Sequence, residues 1–263
     1  MTTLEVDLMQ NRKVIVALGC ALALAGAAMF ADAQQTAPAT DSTAAPTPAA
    51  STPAAPTPAE RIAAIKANLV QSATNLRQYQ WTETQVVNLK GDDKSNTQKT
   101  CYYGPDGKVV KTAVAPPAEE KGKPGLRGKI VENKKEEISG YMKSAIALVK
   151  SYVPPDPAKL QAAKDAGKVS MTVLDPGKRA RIDIKDYEKP GDNLGVEIDM
   201  TTNQILGLNV ASYLADAKDA VTLDVKMASL PDGTGYPATI VLDGKAEKIK
   251  VTVSNSGYVK KTS

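Results

Sequence analysis

The chain has 263 residues, 42% hydrophobic and 4% aromatic, with 33 basic and 29 acidic side chains for a net charge of +4, and it has no histidine. Without histidine there is no Ser-His-Asp or Cys-His arrangement, and the commonest metal ligand is missing. The two signs of charge are well mixed, which describes a solvated surface and not the basic stripe that nucleic acid requires.

Residues 1–33 read as a secretory signal peptide. Arg12 and Lys13 precede an apolar run from Val14 to Phe30, and the run closes on Ala31-Asp32-Ala33, an A-x-A cleavage signature. Cleavage is expected between Ala33 and Gln34, leaving a periplasmic or extracellular protein. The rival is a membrane anchor, which needs about 20 apolar residues; this run is shorter and rich in small side chains. Cys20 lies inside the apolar run and not at its end, where lipidation would need it. Residues 1–33 hold two bases and three acids, so the mature chain carries +5.

Residues 34–58 are alanine, proline, threonine and serine with almost nothing to bury, and read as a disordered, extended linker. Residues 59–263 are long enough for a single domain with its own core. The mature chain keeps one cysteine, Cys101, expected as a small buried residue of a strand.

Residues 59–77 place Ile62, Ile65, Leu69, Val70 and Leu76 near helical spacing behind Pro58 and Glu60, which predicts an amphipathic helix. Strands follow at 79–89, 96–103 and 108–114, the last two joined by the turn Gly104-Pro105-Asp106-Gly107. Next comes GKPGLRGK, Gly122 to Lys129, a basic glycine loop ahead of a helix. It is no Walker loop, because five residues and not four separate Gly122 from Gly128, and Ile130 stands where Ser or Thr would hold magnesium. No nucleotide is expected there. The loop is either a solvated connection or an anion site in which Arg127 would grip a carboxylate or lipid phosphate with both arms of its guanidinium.

Ile130, Ile138, Tyr141, Met142, Ala145, Leu148, Val149 and Tyr152 form one helical stripe, stopped by the proline-rich 153–157. Asp156 should cap a short helix over 157–166 that Gly167 ends. Strict alternation then marks strands at 180–184, 193–200, 220–227 and 248–254, with short joints between neighbours. No connection between them holds a crossover helix, so the sheet is an antiparallel meander. The predicted fold is α+β: a strongly curved antiparallel sheet, an unclosed barrel of about ten strands, wrapping the N-terminal helix and a two-helix insert.

No constellation for catalysis stands out. Cys101 has no histidine to activate it, and the acids of 91–93 and 175–186 lack the spacing of a calcium loop. The protein is expected not to be an enzyme and to use no cofactor.

The order of helix, YQWTETQ strand (79–85), meander, two-helix insert and closing DGTGYPATIVLDGKAEKIKVTVSN (232–255) resembles the periplasmic lipoprotein-carrier superfamily of LolA, LolB and the N-terminal domain of RseB. YGPDGK, GLRGKI and YVPPDP (103–108, 125–130 and 152–157) also resemble stretches of uncharacterised secreted proteins of soil bacteria. The carrier resemblance implies a cavity between sheet and helices that takes an acyl chain of a lipid or lipoprotein. Met142 and Ile146 would line it, Arg127 and Lys129 would meet an anionic head at its mouth, and the glycine loop at 122–128 would be the hinge. Cavities of such carriers are lined with aromatics, and this chain is aromatic-poor. The second reading is therefore a structural or interaction domain with a solid core and an envelope protein as its partner.

Overall fold

The computed structural model describes residues 57–114 and 126–261, and their side chains except those of 58, 59, 126–133 and 135. The expected signal peptide and residues 122–125 of the glycine loop lie outside the described residues.

Helix α1 spans Pro58–Leu76. Its start is written locally: Thr57 Oγ1 accepts from the Glu60 amide at 3.3 Å, and Glu60 returns the bond by accepting from the Thr57 amide at 2.7 Å. Such a reciprocal cap is worth roughly 1 kcal/mol, and it draws the last two residues assigned to the linker into the helix. Then come β1 (Tyr79–Leu89), β2 (Asp92–Tyr103) and β3 (Val109–Ala113), the insert helices α2 (Leu126–Lys150) and α3 (Pro157–Asp165), and seven more strands. These are β4 (Val169–Asp175), β5 (Arg179–Lys185), β6 (Asn193–Asp199), β7 (Gln204–Tyr213), β8 (Ala220–Ser229), β9 (Gly235–Gly244) and β10 (Ile249–Lys260).

The ten strands form one sheet in the order β3-β2-β1-β10-β9-β8-β7-β6-β5-β4, with every pairing antiparallel. This is the predicted α+β unclosed sheet. The edges β3 and β4 pair with one neighbour each, and the insert that joins them must pass from one edge of the sheet to the other. Register shifts in β1, β6 and β8 bend the sheet around the helices. One of them, opposite Gln80–Thr82, coincides with Gly257 at φ +63°, a conformation that an L side chain rarely adopts.

Met142, Ala145, Ile146, Val149 and Tyr152 of the α2 stripe are buried in one cluster with the alternating residues of the sheet, among them Ile184, Leu194, Leu223, Val225 and Val251. Burying each large apolar side chain contributes about 1.5–3 kcal/mol, so this seam dominates the core. Helix α3 has Asp156 as its N-cap and contributes Leu160 and Ala163.

Two local readings change, and one strand not singled out from the sequence departs from strict alternation. Helix α2 begins at Leu126, so Arg127, Gly128 and Lys129 belong to its first turn and not to a loop. A helical glycine costs about 1 kcal/mol against alanine, which the helix-forming run of Lys and Glu after it outweighs. Strand β2 begins at Asp92 and not at 96, so Asp92 and Asp93 lie in the strand. Strand β7 shows no strict alternation because a register shift opposite Glu197–Ile198 sets Ile205 and Leu208 three apart on the same side.

Candidate functional site

The inner side of the sheet, where it faces the helices, is not uniform, and three zones follow from strand register. At the centre, Met142 and Ile146 are 1% and 3% exposed among the apolar residues of β5–β10. The structure thus puts these two expected residues together against the sheet. The backbones of Arg127 and Lys129 are about four turns N-terminal of Met142 on the same helix; their side chains lie outside the description.

The second zone is the β4 edge. Val169, Met171 and Val173 pair with Ile184, Ile182 and Ala180. Directly paired residues share a face, and both Ile184 and Ala180 are buried on the inner one. Met171 and Val173 therefore point inward, yet they are 58% and 54% exposed. Two large apolar side chains meet solvent one strand away from closed core. Helix α1 is also only partly covered, with Ile62, Ile65 and Leu69 half-buried, whereas Met142, Ala145, Ile146, Val149 and Tyr152 of α2 are buried. The inner apolar surface is open along this edge.

The third zone is polar. On β1 the inward residues after Trp81 are Glu83 and Gln85, both 2% exposed. Lys111 of edge strand β3 donates to both Glu83 oxygens, at 2.7 and 2.6 Å. Beside this pair Cys101 is fully buried, and burial, aided by the Glu83 charge, pushes its thiol up to about 12. Cys101 should therefore resist a thiol reagent at pH 8 in the folded protein and react as denaturant exposes it. Labelling of the native protein at the rate of a free thiol would contradict this burial.

A hydrogen-bonded hub anchors the C-terminal end of α2. Asp192 is buried and accepts from the amides of Tyr187, Glu188 and Lys189 at 2.6, 3.0 and 2.9 Å and from the Tyr152 hydroxyl. The Tyr152 oxygen also lies 2.8 Å from Ser212 Oγ on β7. Burial, then the bond to Asp192, raises the Tyr152 phenol. At the other end of the domain the scarce aromatics are concentrated. Trp81 stacks on Tyr258 at 5.5 Å and Tyr236 contacts Tyr258 at 4.4 Å, while Tyr79 donates to Asp232 at 2.6 Å. That bond holds the Asp232 carboxyl down at about 2.

None of the polar zone, the hub or the β4 opening was named from sequence. Only the opening had a readable signal, the alternation Val169, Met171, Val173. Among the described residues no group of three or more Cys, Asp or Glu could hold a metal ion, and no helix is long and apolar enough to cross a membrane.

No family model matches the chain, and no curated protein matches it. Among solved structures it is similar to a LolA superfamily protein from Nitrosomonas europaea, with 8% identity over 76% of this chain and 94% of that chain and a TM-score of 0.33. It is also similar to a DUF1329 family protein from Desulfovibrio piger, with 13% identity over 75% of this chain and 93% of that chain and a TM-score of 0.30. The LolA-like likeness expected from the order of elements is thus met among solved structures; the fold itself stands on the strand order and register of this chain.

Proposed function

We propose that this is a non-enzymatic, exported protein of the cell envelope that holds an acyl chain of a lipid or lipoprotein between the inner face of the sheet and the helices, reached from the β4 edge. One observation carries the reading: Met171 and Val173 face inward on an edge strand and remain more than half exposed, while their inward neighbours on β5 are buried or half-buried. An exposed apolar surface continuous with a core is where an apolar ligand gains most from leaving water. Met142 and Ile146 form the floor of the site. Arg127 and Lys129, in the first turn of α2, are the groups we assign to an anionic head.

The near-complete burial of Met142 and Ile146 favours the second reading, an interaction domain with a solid core. A fluorescent long-chain fatty acid titrated into the protein separates the two. The expected result is saturable uptake that weakens at least tenfold in the double variant Met171→Glu/Val173→Glu, whose exposed positions tolerate charge within about 0.5 kcal/mol. Met142→Trp completes the comparison. Uptake lost with an unchanged melt means that the ring has filled ligand space. No uptake by the wild type, with the variant destabilised by about 1–3 kcal/mol from overpacking, leaves the interaction domain. N-terminal sequencing of the exported protein should find Gln34 first; a lipid-modified Cys20 would make it a tethered lipoprotein instead.

A further inference from the structure

The two edges of the sheet are guarded differently. On β3 the Val114 amide donates to the Gln98 carbonyl at 3.1 Å, so by alternation Val109, Lys111 and Ala113 turn their own amides and carbonyls to the open side. Lys111 stands in the middle of that row with its side chain turned inward to Glu83, and an inward-pointing charge on an edge keeps a foreign strand off. On β4 the Lys168 carbonyl accepts from the Lys185 amide at 3.0 Å. Ser170 and Thr172 therefore bond β5, and Val169, Met171 and Val173 present amide and carbonyl to the open side. Among the described residues no strand lies on that side, and no hydrogen bond reaches those groups from it. Residues 170–174 are all exposed, and no charged side chain stands between Lys168 and Asp175.

The open strand is its own complement. About Met171 it has the same chemistry in both directions: Val169 matches Val173, the hydroxyl of Ser170 matches that of Thr172, and the ends, Lys168 and Asp175, carry opposite charge. We propose that β4 pairs antiparallel with β4 of a second copy of this chain, across a two-fold axis at Met171, and so joins two ten-stranded sheets edge to edge. Met171 opposes Met171, and Val169 opposes Val173 of the second copy; each is a hydrogen-bonded pair that exchanges both backbone bonds. The side chains of these pairs share the inner face, so the apolar surface of Met171 and Val173, 58% and 54% exposed in one copy, gains cover from the other. The ends fix the direction. The register shift between Val173 and Asp175 makes Leu174 the extra residue, so Asp175 takes the next place, opposite Lys168 of the second copy. A parallel pairing sets lysine near lysine and aspartate near aspartate instead. Within one copy Lys168 meets Asp186 at 3.2 Å and Asp175 meets Lys178 at 3.7 Å, both in exposed pairs weak enough to share. The contact is isologous, as a closed dimer requires. It does not rest on the acyl-chain reading, since it uses backbone groups in the plane of the sheet and not the space between sheet and helices.

Sedimentation equilibrium of the purified exported protein over a wide range of concentration tests it. A strand of seven residues makes a small interface, so the expected result is a monomer–dimer equilibrium that dilution reverses. Hydrogen exchange of the wild type should slow at the amides of Val169, Met171 and Val173 at high concentration and recover on dilution. Lys168→Asp should weaken the dimer at least tenfold, and Lys168→Asp/Asp175→Lys should restore it. Met171→Pro removes an amide that bonds nothing within the sheet and should abolish the dimer; the charge exchange decides the matter even if that variant does not fold. A wild type that is monomeric at every concentration overturns the proposal and leaves the edge to a strand from another protein. So does a dimer that neither Lys168→Asp nor Met171→Pro weakens. Concentration-dependent protection at Val109 and Ala113, and not on β4, overturns it as well, by assigning the contact to β3.

Discussion

Replacing Lys111 by methionine should destabilise the domain by about 3–5 kcal/mol, because it removes the cation that bonds both oxygens of the buried Glu83 carboxylate. The pair is well built: one ammonium bonds both carboxylate oxygens, and Glu83 is almost wholly enclosed. Its net worth is a separate matter. Desolvating both ions costs several kcal/mol, and their attraction does little more than offset that. The double variant Glu83→Leu/Lys111→Met should therefore recover most of the loss and melt close to the wild type. Chemical denaturation of the two singles and the double gives the coupling energy directly. A double variant as unstable as Lys111→Met would mean that the zone needs its polarity for packing reasons that the pair alone does not supply. For a domain of this size, each kcal/mol is about 2–4 °C in Tm, so the single variant should be visible in a simple melt.

Asp192→Ala should cost a comparable amount, roughly 3–6 kcal/mol, since three amide donors and a tyrosine hydroxyl lose one shared buried acceptor and each buried orphan costs about 1–3 kcal/mol. Asp192→Asn should be milder than alanine but still costly. It keeps Oδ1 for the Tyr187 amide, while its NH2 group would face the Glu188 and Lys189 amides, donor against donor. Tyr152→Phe removes one donor and should cost about 1 kcal/mol. The order alanine, asparagine, then phenylalanine is the test: thermal melts that ranked Tyr152→Phe worst would place the weight of the hub on the ring and not on the carboxylate. Loss of this hub should also free the C-terminal end of α2, which hydrogen exchange at Val149–Val153 would register.

Much of the fold is legible residue by residue. Thr57, Pro58 and Glu60 announce the start of α1, and the reciprocal cap is found there. The stripe from Ile138 to Tyr152 gives the buried side of α2, down to Met142 and Val149. Alternation at Ala180–Ile184, Leu194–Ile198, Val221–Val225 and Ile249–Val253 identifies the inward residues of four strands, and all of these are buried except Ile182 and Val196, which are half-buried. These features depend on neighbours within a turn of helix or two residues of strand, so the chain carries them wherever the element is placed. The start of α2 at Leu126 was less legible, because glycine spacing suggested a loop and only the summed propensity of the following residues extends the helix back through Gly128.

The site was decided by tertiary structure. A similar alternation of apolar residues means closed core on β8, where α2 packs, and an open apolar edge on β4, which lies at the end of the sheet. Lys111 reads as a surface lysine until the pairing of β3 with β2 and of β2 with β1 turns it toward Glu83, 28 residues away in the chain. Asp192 looks like a turn residue and is one, yet Tyr152 reaches it across 40 residues. Periodicity is a local property and survives in sequence. Whether a strand lies at the edge or the centre, and which charge meets which across the sheet, depends on the order in which strands assemble, and only the folded sheet sets that order.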